Sequence, residues 1–111
     1  MIFGLTALAL LVTSTAPRAL SYGRDVAPVF ARQCVRCHGP AHHHGGLRLD
    51  GYEEALRGGD SGPAIITGNA RDSLLIQKLE HRDRPPMPPR KRLSRETIAT
   101  IRSWIDQGTP P

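Results

Sequence analysis

The pentapeptide Cys34-Val35-Arg36-Cys37-His38 concentrates more reactive chemistry than any other stretch of this 111-residue chain. Two thiols three positions apart on a helix stand about one turn from each other, which matches the spacing of the two vinyl groups on a haem. Each thiol can add across one vinyl to give a thioether, and the next residue, His38, then stands beneath the iron as proximal ligand. Cys-x-x-Cys-His is the attachment signature of c-type haem. The sequence therefore predicts one covalent haem c, with Cys34 and Cys37 as attachment points and His38 on the iron.

Other uses of the same residues have less support. A redox dithiol of the thioredoxin kind needs a βαβ context, and no strand pattern flanks the motif. A zinc site needs two further ligands, which His42, His43 and His44 supply in number. A disulfide at this spacing would be strained and would close almost no loop.

Met87 is the candidate second axial ligand. It lies in Pro85-Pro86-Met87-Pro88-Pro89 and is the only methionine besides Met1. No apolar neighbours complete a core face around it, and the prolines would hold the loop stiffly so that the thioether sulfur meets the iron. His/Met ligation favours the ferrous state and raises the potential. The rival ligands are histidines. His42 to His44 follow the motif too closely to cross to the other haem face and are expected in solvent, while His81 is better separated but sits at a helix end.

The elements that must position these groups read as helices. Arg24 to Cys37 is the first, with Val26, Phe30, Cys34 and Cys37 on one face, Pro28 in its first turn and Gly39-Pro40 as its breaker. Leu47 and Leu49 alternate with Arg48 and Asp50 in a short extended piece. Asp50-x-x-Glu53 is a weak capping box for a helix from Gly51 to Arg57, closed by Gly58-Gly59. A third helix is expected from about Asp72 to His81 with Leu74, Leu75 and Leu79 inward. The proline- and arginine-rich segment 82–92 should be irregular. Ser94 then caps a last helix whose core face is Ile98, Ile101, Trp104 and Ile105, with Gly108 as its stop. The fold class is all-α: about four short helices and long loops. Long loops in so small a domain are tolerable when they wrap a ligand.

The first 21 residues are expected to stand outside that fold. Ile2 to Val12 is largely apolar but too short to span a bilayer as a helix. Ala19-Leu20-Ser21 resembles the small-x-small pattern before a signal-peptidase cut, although no Lys or Arg precedes the apolar run. The expected organisation is thus a signal peptide or retained anchor at 1–21 and a haem domain at 22–111. That places the protein outside the cytoplasm, in the periplasm or anchored facing it, with membrane association only if the leader is kept. A unit of about 90 residues builds a marginal core and needs a staple. Burying about 400 Å² of apolar haem surface would stabilise it by on the order of 10 kcal/mol.

Charge narrows the partners. Fifteen basic against ten acidic residues is a modest excess that suits docking to acidic proteins. Arg82, Arg84, Arg90, Lys91, Arg92 and Arg95 surround Met87 and would steer such a partner toward the haem edge. No aromatics interleave with these cations, so nucleic acid is not expected as a partner.

The sequence also resembles the cytochrome c-like domains typical of planctomycete multidomain proteins. The likeness runs from about Asp25 to Gly108. Beyond Cys34-x-x-Cys37-His38-Gly39-Pro40 it includes Gly46-Leu47-Arg48-Leu49-Asp50, Gly58-Gly59-x-Ser61-Gly62, Gly68 followed by Ser73-x-Leu75-Ile76, Met87-Pro88-Pro89, and Trp104-Ile105 before Gly108. Thr67 departs from the proline usual before Gly68. The resemblance implies a haem c domain with His38 and Met87 as axial ligands and electron transfer as its activity. The expected function is a shuttle of single electrons between exported redox partners, not an enzyme in its own right. Two other functions stay open: a gas sensor or peroxidase-like domain with a labile sixth ligand, and a haem-stiffened module of a larger redox assembly.

Overall fold

The structure is a computed structural model that describes residues 2–10 and 18–111. Residue 1 and residues 11–17 of the expected leader lie outside the described residues. Residues 2–10 form no helix or strand, and Ile2, Phe3, Leu5, Leu8 and Leu10 are exposed. Among the described residues no helix is long and apolar enough to cross a membrane.

Among the described residues, contacts with the folded unit begin at Arg18. Leu20, assigned by the sequence to the leader, is 8 % exposed and belongs to the core cluster. Its amide donates to Gln107 Oε1 (2.9 Å), and Gln107 Nε2 donates to the Arg18 carbonyl (3.0 Å). Ser21 then caps the first turn. Its hydroxyl accepts from the Arg24 amide (3.2 Å), and the Asp25 carboxylate accepts from the Ser21 amide (2.9 Å), a reciprocal arrangement of capping-box type. The turn it opens, Tyr22–Val26, is wide, with π-type hydrogen bonding, and continues into α1, Ala27–Gln33. Pro28 is at the start of α1, where its missing N–H costs nothing.

The helix expected to reach Cys37 stops at Gln33. The Phe30 carbonyl accepts both the Cys34 and the Val35 amides (2.9 Å each), and Cys34 leaves helical geometry at φ −125°. A carbonyl shared by donors four and five residues on widens the last turn. Cys34 to His38 then forms a turn of its own, with the Cys37 and His38 amides on the Cys34 carbonyl (3.1 and 2.9 Å).

Three more helices follow. Helix α2, Tyr52–Arg57, has Gly51 at its N-cap without a side-chain cap. Asp50, expected to open a capping box there, instead takes Arg48 in a bidentate pair (3.0 and 2.7 Å). Helix α3 is shorter than expected, Leu74–Leu79. The buried Ser73 hydroxyl accepts from the Ile66 amide (2.8 Å) and donates to the Asn69 carbonyl (2.7 Å), so it braces the preceding loop and does not cap the helix. His81, at φ 59°, ends the helical path on the other side. Helix α4, Arg95–Asp106, matches its expected bounds: Ser94 accepts from the Thr97 amide (3.1 Å) and Gly108 turns the chain at φ 94°.

The result is a mostly helical domain, with four α-helices and no strand among the described residues. Its core lies between α1, α3 and α4, where Val26, Phe30, Ile76, Ile101, Trp104 and Ile105 are fully buried. Tyr22 packs on Tyr52, Trp104 and Phe30, with ring centroids 5.3, 5.9 and 6.3 Å away. The Trp104 indole donates to the Pro110 carbonyl (2.8 Å), which the Tyr22 amide also reaches (2.9 Å). Glu80 at the end of α3 pairs with Arg102 on α4, fixing the helix that carries one wall of the cavity described next.

Candidate functional site

A cavity of about 280 Å³ opens between the turn after α1, the 38–49 loop, α3 and the proline-rich loop. Cys34, Cys37, His38 and Met87 all line it, together with Leu47, Leu49, Leu74, Leu75, Leu79, Pro88 and Pro89. A largely apolar cavity with two thiols, one imidazole and one thioether on its walls is a constellation of soft and borderline ligands.

The turn from Cys34 to His38 presents the first three. Both thiols are free; Cys34 is half-buried and Cys37 exposed. Burial pushes the Cys34 thiol up to about 11, and the neighbouring Cys37 adds to the shift. A redox dithiol works the other way, by lowering a thiol's pKa, so the thioredoxin-like use of this pair has no support in the geometry.

His38 is held from behind. Its Nδ1 lies 3.2 Å from the Leu47 carbonyl oxygen, a group that can only accept, so Nδ1 carries the proton and Nε2 keeps a free lone pair. Burial lowers the His38 pKa, with the Leu47 carbonyl opposing that effect, so the ring is neutral and able to ligate at neutral pH. The loop that supplies Leu47 is closed by its own ladder. The Leu49 amide donates to the His38 carbonyl (2.7 Å), the Gly39 amide to His42 (2.6 Å), and the His44 amide to Cys37 (3.0 Å). Gly39 is required for space: a Cβ there would lie 2.8 Å from Val35 Cγ1 and closer still to the Val35 carbonyl oxygen.

Met87 joins the cavity from the irregular segment that the sequence predicts. Its amide donates to the Lys78 carbonyl at the end of α3 (3.2 Å). The remaining histidines divide. His44 reaches the cavity wall, whereas His42, His43 and His81 do not line it and are exposed. His43 Nδ1 contacts the Gly39 carbonyl (3.3 Å), and the His42 and His44 rings stack 6.4 Å apart. Among the described residues no cluster of three or more His, Cys, Asp or Glu side chains forms.

Sequence reasoning missed Lys78 and Gln33 on the cavity wall. Lys78 was legible in principle: Leu74, Leu75, Lys78 and Leu79 share a face at helical spacing, but a lysine on a short helix reads as a solvated one. On both sides of the methionine loop in sequence, Arg84, Arg90, Lys91, Arg92 and Arg95 are exposed and belong to none of the ion pairs among the described residues. Residues 84–95 contain no acid.

The family described as planctomycete cytochrome C matches residues 34–91, from the first thiol to just past the methionine loop and more than half of the chain. The chain belongs to that family. It is a c-type cytochrome domain. Among solved structures it is similar to the hydrazine synthase of Kuenenia stuttgartiensis, at 25% identity and a TM-score of 0.58. That match covers 83% of this chain and only 16% of the hydrazine synthase chain. No curated protein matches the chain.

Proposed function

We propose that this cytochrome domain carries single electrons through one haem c, joined to Cys34 and Cys37 and ligated by His38 and Met87. The observation that carries the reading is the convergence of these four side chains on one apolar cavity. The residues fit the group on the chemistry of the donor set. Two unpaired thiols one turn apart suit addition across two vinyls, each S–H giving its sulfur to one vinyl carbon and its hydrogen to the other. A neutral imidazole with Nε2 free suits the proximal position, and leucine and proline walls suit a porphyrin face.

The bound haem supplies a metal that exchanges one electron between ferric and ferrous states. The chain's residues set the conditions for that exchange. The Leu47 carbonyl fixes the His38 tautomer and ring plane and makes the imidazole a stronger donor. The leucines exclude water, which favours the less charged reduced state, and a thioether at the sixth position acts in the same direction. Met87 would hold the iron's remaining position, leaving none for a substrate, and a domain so ligated would act as a carrier.

The cation strip from Arg84 to Arg95 would face an acidic redox partner at the mouth of the cavity. An exported, periplasm-facing location accords with this chemistry and with the apolar residues at 2–10. Carbon monoxide is the probe that separates carrier from sensor: slow, weak binding to the reduced protein is expected, and rapid tight binding would favour a sensor.

The test is expression with export in cells that mature c-type cytochromes. Haem that survives denaturation, and a long-wavelength sulfur-to-ferric-iron band lost in Met87→Ala, are expected. A colourless secreted protein with two titratable thiols would overturn the reading. Electron-transfer rates to an acidic partner should fall steeply between low and physiological salt; salt-independent rates would remove the docking role of the strip.

A further inference from the structure

The methionine loop has almost no backbone means of holding itself. Pro85, Pro86, Pro88 and Pro89 have no N–H, so between Arg84 and Arg90 the only backbone donor is Met87. That donor goes to the Lys78 carbonyl (3.2 Å). The Arg84 carbonyl, where the loop begins, takes the Lys78 ammonium (2.9 Å). The same ammonium pairs with Asp83 Oδ1 (2.7 Å). One residue therefore grips the loop from its main chain and from its side chain.

The setting gives this grip strength. The Lys78 side chain is 19 % exposed, unlike the free lysines of a helix surface. Its stem lies along the cavity wall beside Leu74 and Leu75 while its head reaches the loop. Hydrogen bonds from a charged donor are the strong kind, and they are screened less where water is partly excluded. The position is fixed from the rear as well, since the Gln77 carbonyl accepts the Arg82 and Asp83 amides (2.8 and 3.2 Å).

We propose that Lys78, with Asp83, is a positioning residue for Met87: it latches the thioether over the sixth site and so sets how readily that site opens to another ligand. The inference rests on the reading that Met87 ligates the iron. Lys78 touches neither substrate nor metal in this account and acts through the loop alone.

The test uses the haem-loaded full chain and four variants: Met87→Ala, Lys78→Leu, Lys78→Arg and Asp83→Asn. Three readouts are followed: the sulfur-to-ferric-iron band, carbon monoxide affinity of the reduced protein, and hydrogen exchange at the Met87 amide. Lys78→Leu should keep its haem, weaken the band, speed exchange and raise carbon monoxide affinity on the order of tenfold, the scale of one charge-assisted hydrogen bond. Asp83→Asn should move all three the same way by less, and Lys78→Arg should restore most of the loss. If Met87→Ala abolishes the band while Lys78→Leu changes nothing, the latch is wrong and the ligation stands. If Lys78→Leu acts but Asp83→Asn is silent, the ammonium serves another group and the latch is again wrong. If Met87→Ala leaves the band intact, the ligation reading falls and takes the latch with it. Should Lys78→Leu fail to accumulate, Asp83→Asn carries the test.

Discussion

The tether formed by residues 18–21 is open to a direct energetic test. Leu20 is 8 % exposed and packs at the margin of the core, so Leu20→Ala should cost about 2 kcal/mol, the low end for a buried leucine. Ser21→Ala removes the acceptor of the Arg24 amide and should cost about 1 kcal/mol, a typical N-cap loss. The two side chains serve different partners, so the double variant should lose about 3 kcal/mol. In a domain of this size, each kcal/mol moves Tm by about 4–8 °C; the double variant should melt roughly 12–24 °C lower. Thermal and urea unfolding of the exported haem protein, followed by far-UV dichroism and haem absorbance together, measure this. Leu8→Ala is the control, because Leu8 is 89 % exposed and its loss should leave Tm in place. Unchanged melting in both Leu20→Ala and Ser21→Ala would show that the segment does not belong to the folded unit and behaves as the discarded leader its small-x-small pattern suggests.

Further outcomes concern single contacts. Gly39→Ala should destabilise by about 1–3 kcal/mol through overpacking against Val35, and the urea midpoint reads it; wild-type stability would mean that the turn before His38 yields freely. Tyr52→Phe removes the hydroxyl that donates to the Thr109 carbonyl (2.5 Å) and should cost about 1 kcal/mol, seen as a lower urea midpoint at constant m-value. Asp25 is held below the ordinary carboxylate range, first by the Arg24 side chain and then by the Ser21 amide. A depressed folded pKa contributes stability that is complete above the unfolded value of about 3.9. That contribution disappears as pH falls through the lower folded value. Asp25→Asn should therefore flatten the acid limb of the stability curve below about pH 4 and leave its slope near neutrality unchanged; a parallel acid limb would refute the assignment.

The parts of this structure that were readable in advance are those fixed by local chemistry. Ser94, Glu96 and the Ile98–Ile101–Trp104–Ile105 face define α4 from sequence alone because cap, first-turn acid and core spacing agree. The Cys34–His38 motif falls on a turn of its own and not on the helix that its pattern suggests. The pattern at Val26, Phe30, Cys34 and Cys37 is helical throughout, and nothing local reveals that the Phe30 carbonyl takes two donors and releases the turn. Asp50 misled for the opposite reason: a residue competent to cap found a better partner in Arg48, a choice that two-residue contacts decide and motifs do not. Leu20 was hidden because a leader and a docked strand of chain have the same small and apolar composition. Lys78 reads as one more solvated lysine because its partner, the Arg84 carbonyl, lies six residues on and leaves no mark in the residue types around it.

The first and last segments of the haem-domain fold meet. Pro110 offers one carbonyl oxygen to both the Tyr22 amide and the Trp104 indole, while Gln107 grips Arg18 and Leu20. A cassette whose incoming and outgoing strands adjoin can be spliced into a surface bend of a larger host without prying that host apart. The geometry that closes this small unit on itself thus also makes it portable, carrying its core and cavity intact wherever a polypeptide can spare two neighbouring attachment points.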